Sequence, residues 1–245
     1  MGIYRLSDAE LGFFTDLEGT VADLVAYSGK IEVPNTDPRF VSLMLFNRLA
    51  SNHRGFLLLW RADELLEAAI VLRAAIETTI CLAANFTMRE DFYPLLLGDL
   101  AATLKAQIKL WRELGSDKLV RDSEANLRAI LPRAPEKPRA FDWQSLADIG
   151  GQPELYRYHK ALSMVALHVT AISIMRGVVG VEGGGVDLQR DWQALERPKH
   201  IRQMAIALVI GLKLHAEIVD AADFVAAGKT LDARLSELSK GWVEE

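Results

Sequence analysis

From Ser7 to Lys240 the apolar residues return every three or four positions, and no run alternates convincingly residue by residue. That spacing is the helical period, so the chain is predicted to be all-α, one bundle of about seven helices filling residues 1–245. Ser7-Asp8-Ala9-Glu10 has the form of a capping box, opening a helix to about Tyr27; this helix and its connector occupy residues 1–36. Asp37 is the expected N-cap of a second helix, with Pro38 as its first residue, running to about Leu59. Asp63 to Asn85 reads as a third helix, Asp91 to Leu114 as a fourth, and Ser116-Asp117 opens a fifth that ends before Pro132. Pro132, Pro135 and Pro138, interleaved with Arg133, Lys137 and Arg139, make residues 132–141 a proline-rich surface loop. A helix from Pro153 to Met175 follows, then a glycine-rich loop at residues 176–190. Pro198 is expected to start a long helix to about Ala227, and Lys229 to Lys240 a short last one.

Composition narrows the class. Half the residues are hydrophobic and a quarter are charged, as in a folded protein with a substantial core. A formal net charge of −5 argues against a general nucleic-acid surface. Cys81 is the one cysteine, so no intramolecular disulfide forms, and the N-terminus lacks the apolar core of a signal peptide. The longest apolar runs, Met204 to Leu212 and Ala161 to Met175, are cut by Lys213 and interrupted by His168. A cytoplasmic protein with no membrane partner is expected.

Within the third helix, Leu66, Ala69, Ile70, Arg73, Glu77, Ile80 and Ala84 share a face, while Glu64, Glu67 and Thr78 fall on the other side. Arg73 and Glu77 thus lie in an apolar stripe, where a charge must be compensated by a partner or a ligand. Four-residue spacing lets them pair, and an arginine so held can bind phosphate or carboxylate in bidentate fashion. The competing reading is an internal strut that pins a neighbouring helix. His168 repeats the pattern: Arg157, Ala161, Met164, Val165, Ile172 and Met175 are its helical neighbours, with Tyr158 a quarter-turn away. An imidazole beside an arginine and a tyrosine can serve as general acid or base, although core histidines are more often simply hydrogen-bonded. His215 falls on another apolar face, in a helix where Gly211 would admit a close neighbour such as the Arg73 helix.

Other chemistries fit less well. Ser163 and His168 project on nearly opposite sides of a straight helix, and no G-x-S-x-G turn presents the hydroxyl. Cys81 reads as an inert core thiol. No H-E-x-x-H is present and no histidine has a glutamate three residues before it, so no metal and no cofactor is implied. Glu64 and Glu67 resemble the E-x-x-E of helical nucleotide pyrophosphohydrolases, yet they sit in a first helical turn where acidic residues are favoured anyway. Arg48 to His53 has the spacing of an R-x4-6-H ribonuclease motif without its usual polar residue. The glycines of 177–185 follow no strand and lack a P-loop lysine.

Two segments, VLRAAIETTICLAANF with its R-x-x-x-E and the later YRYHKALSMVALH, together resemble a broad bacterial family of uncharacterised helical proteins. The resemblance implies that Arg73 and Glu77 belong with Tyr158, Ser163 and His168, over roughly residues 40–220. Some relatives in turn resemble toxin-like and phage-defence helical domains. The function expected is a polar pocket in the bundle core that binds an anionic small molecule or nucleic-acid end. In it Arg73, Tyr158 and Arg157 contact the ligand, and Glu77 and His168 carry any metal-independent phosphoester chemistry. The alternative is a non-catalytic interaction module with a closed Arg–Glu–His network, forming a homodimer through Phe13, Phe14, Leu17 and Val21 of the first helix.

Overall fold

The computed structural model describes residues 6–164, 178–181, 185–188 and 191–240, with side chains described for 6–164 and 196–240. Among these residues are nine α-helices: α1 (Asp8–Ser28), α2 (Pro38–Arg61), α3 (Leu65–Met88), α4 (Phe92–Glu113), α5 (Asp117–Ile130), α6 (Trp143–Ile149), α7 (Pro153–Leu162), α8 (Asp191–Ile218) and α9 (Ala222–Lys240). The all-helical bundle is as the spacing predicts, with one short helix, α6, beyond the expected set. None of the described helices is long and apolar enough to cross a membrane.

The local signals act as they should at the start of the chain. Glu10 N donates to Ser7 Oγ and Ser7 N to a Glu10 carboxylate oxygen at 2.8 Å, closing the capping box. Asp37 Oδ1 accepts from Arg39 N at 2.8 Å, with Pro38 at the first helical position. Elsewhere the boundaries move. The 132–141 loop ends in a helix the sequence reading lacked: Asp142 caps α6 by accepting from Gln144 N. The long helix begins at Asp191 and carries Pro198 inside it. The break expected near Lys229 lies instead at Asp220, whose φ of 56° turns the chain from α8 into α9. Gly228 is a contact position and no helix end. A Cβ there would stand 2.8 Å from Leu212, so its absence lets α9 lie close on α8. Within the glycine-rich segment, Val178–Val181 pairs antiparallel with Gly185–Leu188, Val178 opposite Leu188, a short hairpin where a loop was expected.

The core is one cluster centred on α3, which packs against α2, α8, α6 and α7. Gly211 of α8 meets Leu49 of α2 and Leu82 of α3, the close approach anticipated for that position. At the far end of the α2–α8 seam, Trp60 Nε1 donates to Arg197 O at 3.0 Å, and the Arg197 guanidinium stacks 4.0 Å above the Trp60 ring and pairs with Asp63. Phe13, Phe14, Leu17 and Val21 are at most 6% exposed. They seat α1 on the bundle and present no surface to a second copy; the apolar stripe of a terminal helix is satisfied within the fold.

His215 is fully buried, stacked on Phe46, with Nδ1 and Nε2 each 2.8 Å from a serine hydroxyl, Ser42 and Ser28. Ser28 gives its proton to Leu24 O, so it accepts from Nε2–H, and Ser42 donates to Nδ1. A neutral imidazole is therefore completely satisfied, and burial pulls its pKa down to about 4. His53 is likewise pulled to about 4, by burial first and then by Arg54 and Arg61. Between about pH 6.5 and pH 4 the unfolded chain binds protons that the folded chain refuses, so stability is full above 6.5 and falls as the pH drops toward 4. Each histidine contributes on the order of 3 kcal/mol to that fall. Urea unfolding at pH 7.5 and 4.5 should show the His215→Gln protein weaker at the higher pH yet with the smaller difference between the two; an unchanged difference refutes the assignment.

Candidate functional site

Two i, i+4 pairs on neighbouring helices face each other. Arg73 and Glu77 come from α3; His159 of α7 and Ser163, at the C-terminal end of that helix, come from the other side. Arg73 Nη2 lies 2.8 Å from Glu77 Oε1, and Arg73 Nε donates to Ser163 Oγ at 2.9 Å. His159 Nε2 lies 3.0 Å from that same Glu77 oxygen and 3.0 Å from Arg73 Nη2. Ser163 spends its proton on His159 O at 2.7 Å, so its oxygen is an acceptor for the guanidinium and not a poised nucleophile. At residues 163–164 the helix widens into a π-turn, a distortion that recurs at functional sites.

His159 Nε2 faces both groups, as an acceptor from Arg73 Nη2 or a donor to Glu77 Oε1 according to its tautomer. Nδ1 is buried without a partner. With the proton on Nδ1, Nε2 accepts from Arg73 Nη2. With the proton on Nε2, His159 donates to Glu77 Oε1, the oxygen that also forms the ion pair with Arg73. The ring is held between Trp143, 5.6 Å away at α6, and Tyr156, 6.0 Å away and nearly parallel.

The cluster sits at the margin of the core, with side-chain exposures of 17% for Arg73 and 20% for Glu77. The expected stripe was rotated. Leu66 and Ile70 are more than 40% exposed, whereas Thr78, assigned to the water side, is 4% exposed. The buried face runs through Leu65, Ala68, Leu72, Ala75, Ile76 and Thr79. From Thr78 to Asn85 every residue is buried, so the lower half of the helix gave periodicity nothing to contrast.

Glu77 is also the one member of the cluster that lines a cleft of about 270 Å³. Arg48 of α2, Thr78 and Cys81 of α3, Asp99 of α4, and Trp143 form its other main walls. Asp99 Oδ1 accepts from Phe141 N at 2.8 Å, and this bond brings the end of the proline-rich connector over the cleft, where Phe141 packs edge-on to Trp143 at 5.5 Å. Burial, with Glu77 and Asp99 nearby, pushes the Cys81 thiol up to about 12, so no thiolate is available.

Of the residues expected to act, Arg73 and Glu77 are together, joined by Ser163. Tyr158 is half-buried against the core a quarter-turn from His159, outside the bonds of the cluster. Arg157 is a correction: its side chain is 74% exposed and pairs with Glu154, because two residues of helix aim it nearly opposite to His159. His168 lies outside the described residues. Arg48 and His53 do not form a ribonuclease pair, since Arg48 lines the cleft and His53 is buried in the core. The residue missed was His159. Its signal was its place four before Ser163 and between Leu155 and Leu162, both buried. Among the described residues no group of three histidine, cysteine or acidic side chains could hold a metal ion.

Compared with protein-family models, with curated proteins and with solved structures, the chain matches none. The site is therefore read from its own geometry. If His159 and Arg73 share one carboxylate oxygen, their effects are coupled: a double-mutant cycle of Arg73→Met and His159→Gln, followed by urea unfolding, should return an interaction of about 1 kcal/mol. Additive losses would dissolve the cluster as a unit.

Proposed function

We propose that this protein is a ligand-binding helical bundle whose site is the cleft beside the Arg73–Glu77–His159–Ser163 cluster, and that it takes a small molecule or nucleic-acid end bearing a phosphate or carboxylate. The observation that carries this reading is the sharing of Glu77: one carboxylate belongs both to the cluster and to the cleft wall. Arg48, exposed and without an ion pair among the described residues, is the group that meets the anion, by charge-assisted hydrogen bonds. Arg73 acts indirectly, because Nε and Nη2 are bonded within the cluster and its side chain does not line the cleft. It holds Glu77 in place. Any acid–base step on a bound phosphate would have to pass through Glu77, the cluster residue that reaches the cleft.

A second reading is favoured by a different surface. Leu100, Leu110 and Leu114 at α4 and Leu119 of α5 are each at least 40% exposed, and α5 packs mainly on α4. An interaction module would join copies of the chain through this paired-helix arm. Light scattering separates the two: a mass of one chain that is unchanged by Leu110→Glu removes the second reading.

For the first, calorimetric titration with inorganic phosphate and with AMP should detect binding that Arg48→Gln weakens about tenfold or more and Arg157→Gln leaves alone. Equal binding by the Arg48 variant, or none by the unmodified protein, rejects it.

A further inference from the structure

The cleft carries opposite charges that do not use each other. Arg48 enters from α2 and Asp99 from α4, yet no ion pair joins them, and neither forms one with any other described residue. Asp99 spends Oδ1 on the Phe141 amide and has no further hydrogen bond among the described residues. The same cavity is lined by the apolar side chains of Phe141, Trp143, Leu45 and Leu96. Glu77 adds a second carboxylate to the same cavity, already supplied with donors by Arg73 and His159.

This arrangement selects on charge distribution as much as on charge. A simple anion seated on Arg48 shares the cavity with the carboxylates of Asp99 and Glu77 and binds more weakly than one that also brings a positive charge to them. A simple cation drawn to Asp99 meets Arg48. A molecule with both an anionic and an ammonium group completes both side chains at once, while its apolar part covers the aromatic wall. A cavity of about 270 Å³ suits a molecule of amino-acid size.

Resting on the reading of the cleft as a ligand site, we infer that its occupant is a small zwitterion, its carboxylate or phosphate on Arg48, its ammonium on Asp99 and its apolar part against Phe141 and Trp143. Asp99 is then the specificity-determining residue, since it separates a zwitterion from a plain anion that Arg48 alone would accept.

Three probes of nearly one shape test this on the full chain by calorimetry: phenylalanine with both charges, 3-phenylpropanoate with the anion alone and phenethylamine with the cation alone. Phosphoethanolamine is a fourth, a zwitterion without an apolar part. Phenylalanine should bind about tenfold or more tighter than either singly charged probe. Arg48→Gln should reduce it to the level of phenethylamine. Asp99→Asn, which keeps an oxygen for the Phe141 amide, should reduce it to the level of 3-phenylpropanoate. If 3-phenylpropanoate binds as well as phenylalanine, the zwitterion inference fails and the anion site stands. If neither zwitterion binds, the inference also fails, and Arg48-dependent binding of AMP or phosphate then decides the anion reading separately.

Discussion

The burial of α3 between Thr78 and Asn85 sets the positions of α2, α6, α7 and α8. Eight consecutive residues with no exposed side require neighbours all round, and the residues used are mostly small: Thr78, Thr79, Cys81, Ala83, Ala84. Small side chains let several helices approach one axis at once, which a row of leucines would hold apart. Most of the polar atoms brought inside are matched as they enter, Asn85 Oδ1 being an exception. Thr79 Oγ1 reaches Ala75 O and, at 3.3 Å, Ala207 O of α8; Asn85 Nδ2 donates to Pro38 O at 2.9 Å, fixing the start of α2 against the end of α3. With α2, α8, α6 and α7 set around that axis, α1 and α9 close the remaining faces.

The cluster and the cleft follow from this packing because they flank the upper edge of the buried stretch. Glu77 immediately precedes the stretch that is buried all round and Arg73 lies about one turn before Glu77, and there α7 crosses with His159 and Ser163. A part-buried ion pair is a weak source of stability in general. Its value here is geometric: Ser163 and Glu77 fix the guanidinium at Nε and Nη2, so α7 cannot slide along α3 without losing bonds at both ends.

Legibility in the sequence followed contrast. Capping at Ser7 and Asp37 was readable because polar side chains there oppose apolar ones at fixed offsets. The pairing of Arg73 with Glu77 was readable for the same reason, two charges amid Ala, Ile and Leu. The rotation of α3 was not, since a helix that turns wholly apolar toward its end supplies no polar side to orient it. His159 hid in the opposite way. Its neighbours Arg157, Tyr158 and Lys160 look solvated, and only the tertiary position of Trp143, in a helix that begins within a polar stretch, covers it. Gly228 looked like punctuation because a glycine serves helix ends and close contacts alike, and nothing local distinguishes them.

The convergence of Arg73 and His159 on one Glu77 oxygen bears on the cleft. A free carboxylate at a cleft wall rotates, and a ligand that uses it must bear the entropy of stopping that rotation. Arg73 and His159 both converge on Oε1, so the Glu77 carboxylate is anchored through one oxygen before anything binds. The Nδ1 atom of His159 has no partner among the described residues, in a ring that packs against Tyr156 and against Trp143, itself a wall of the cleft. A network meant purely to stabilise would gain from meeting that atom with a hydroxyl, as Ser28 and Ser42 do for His215.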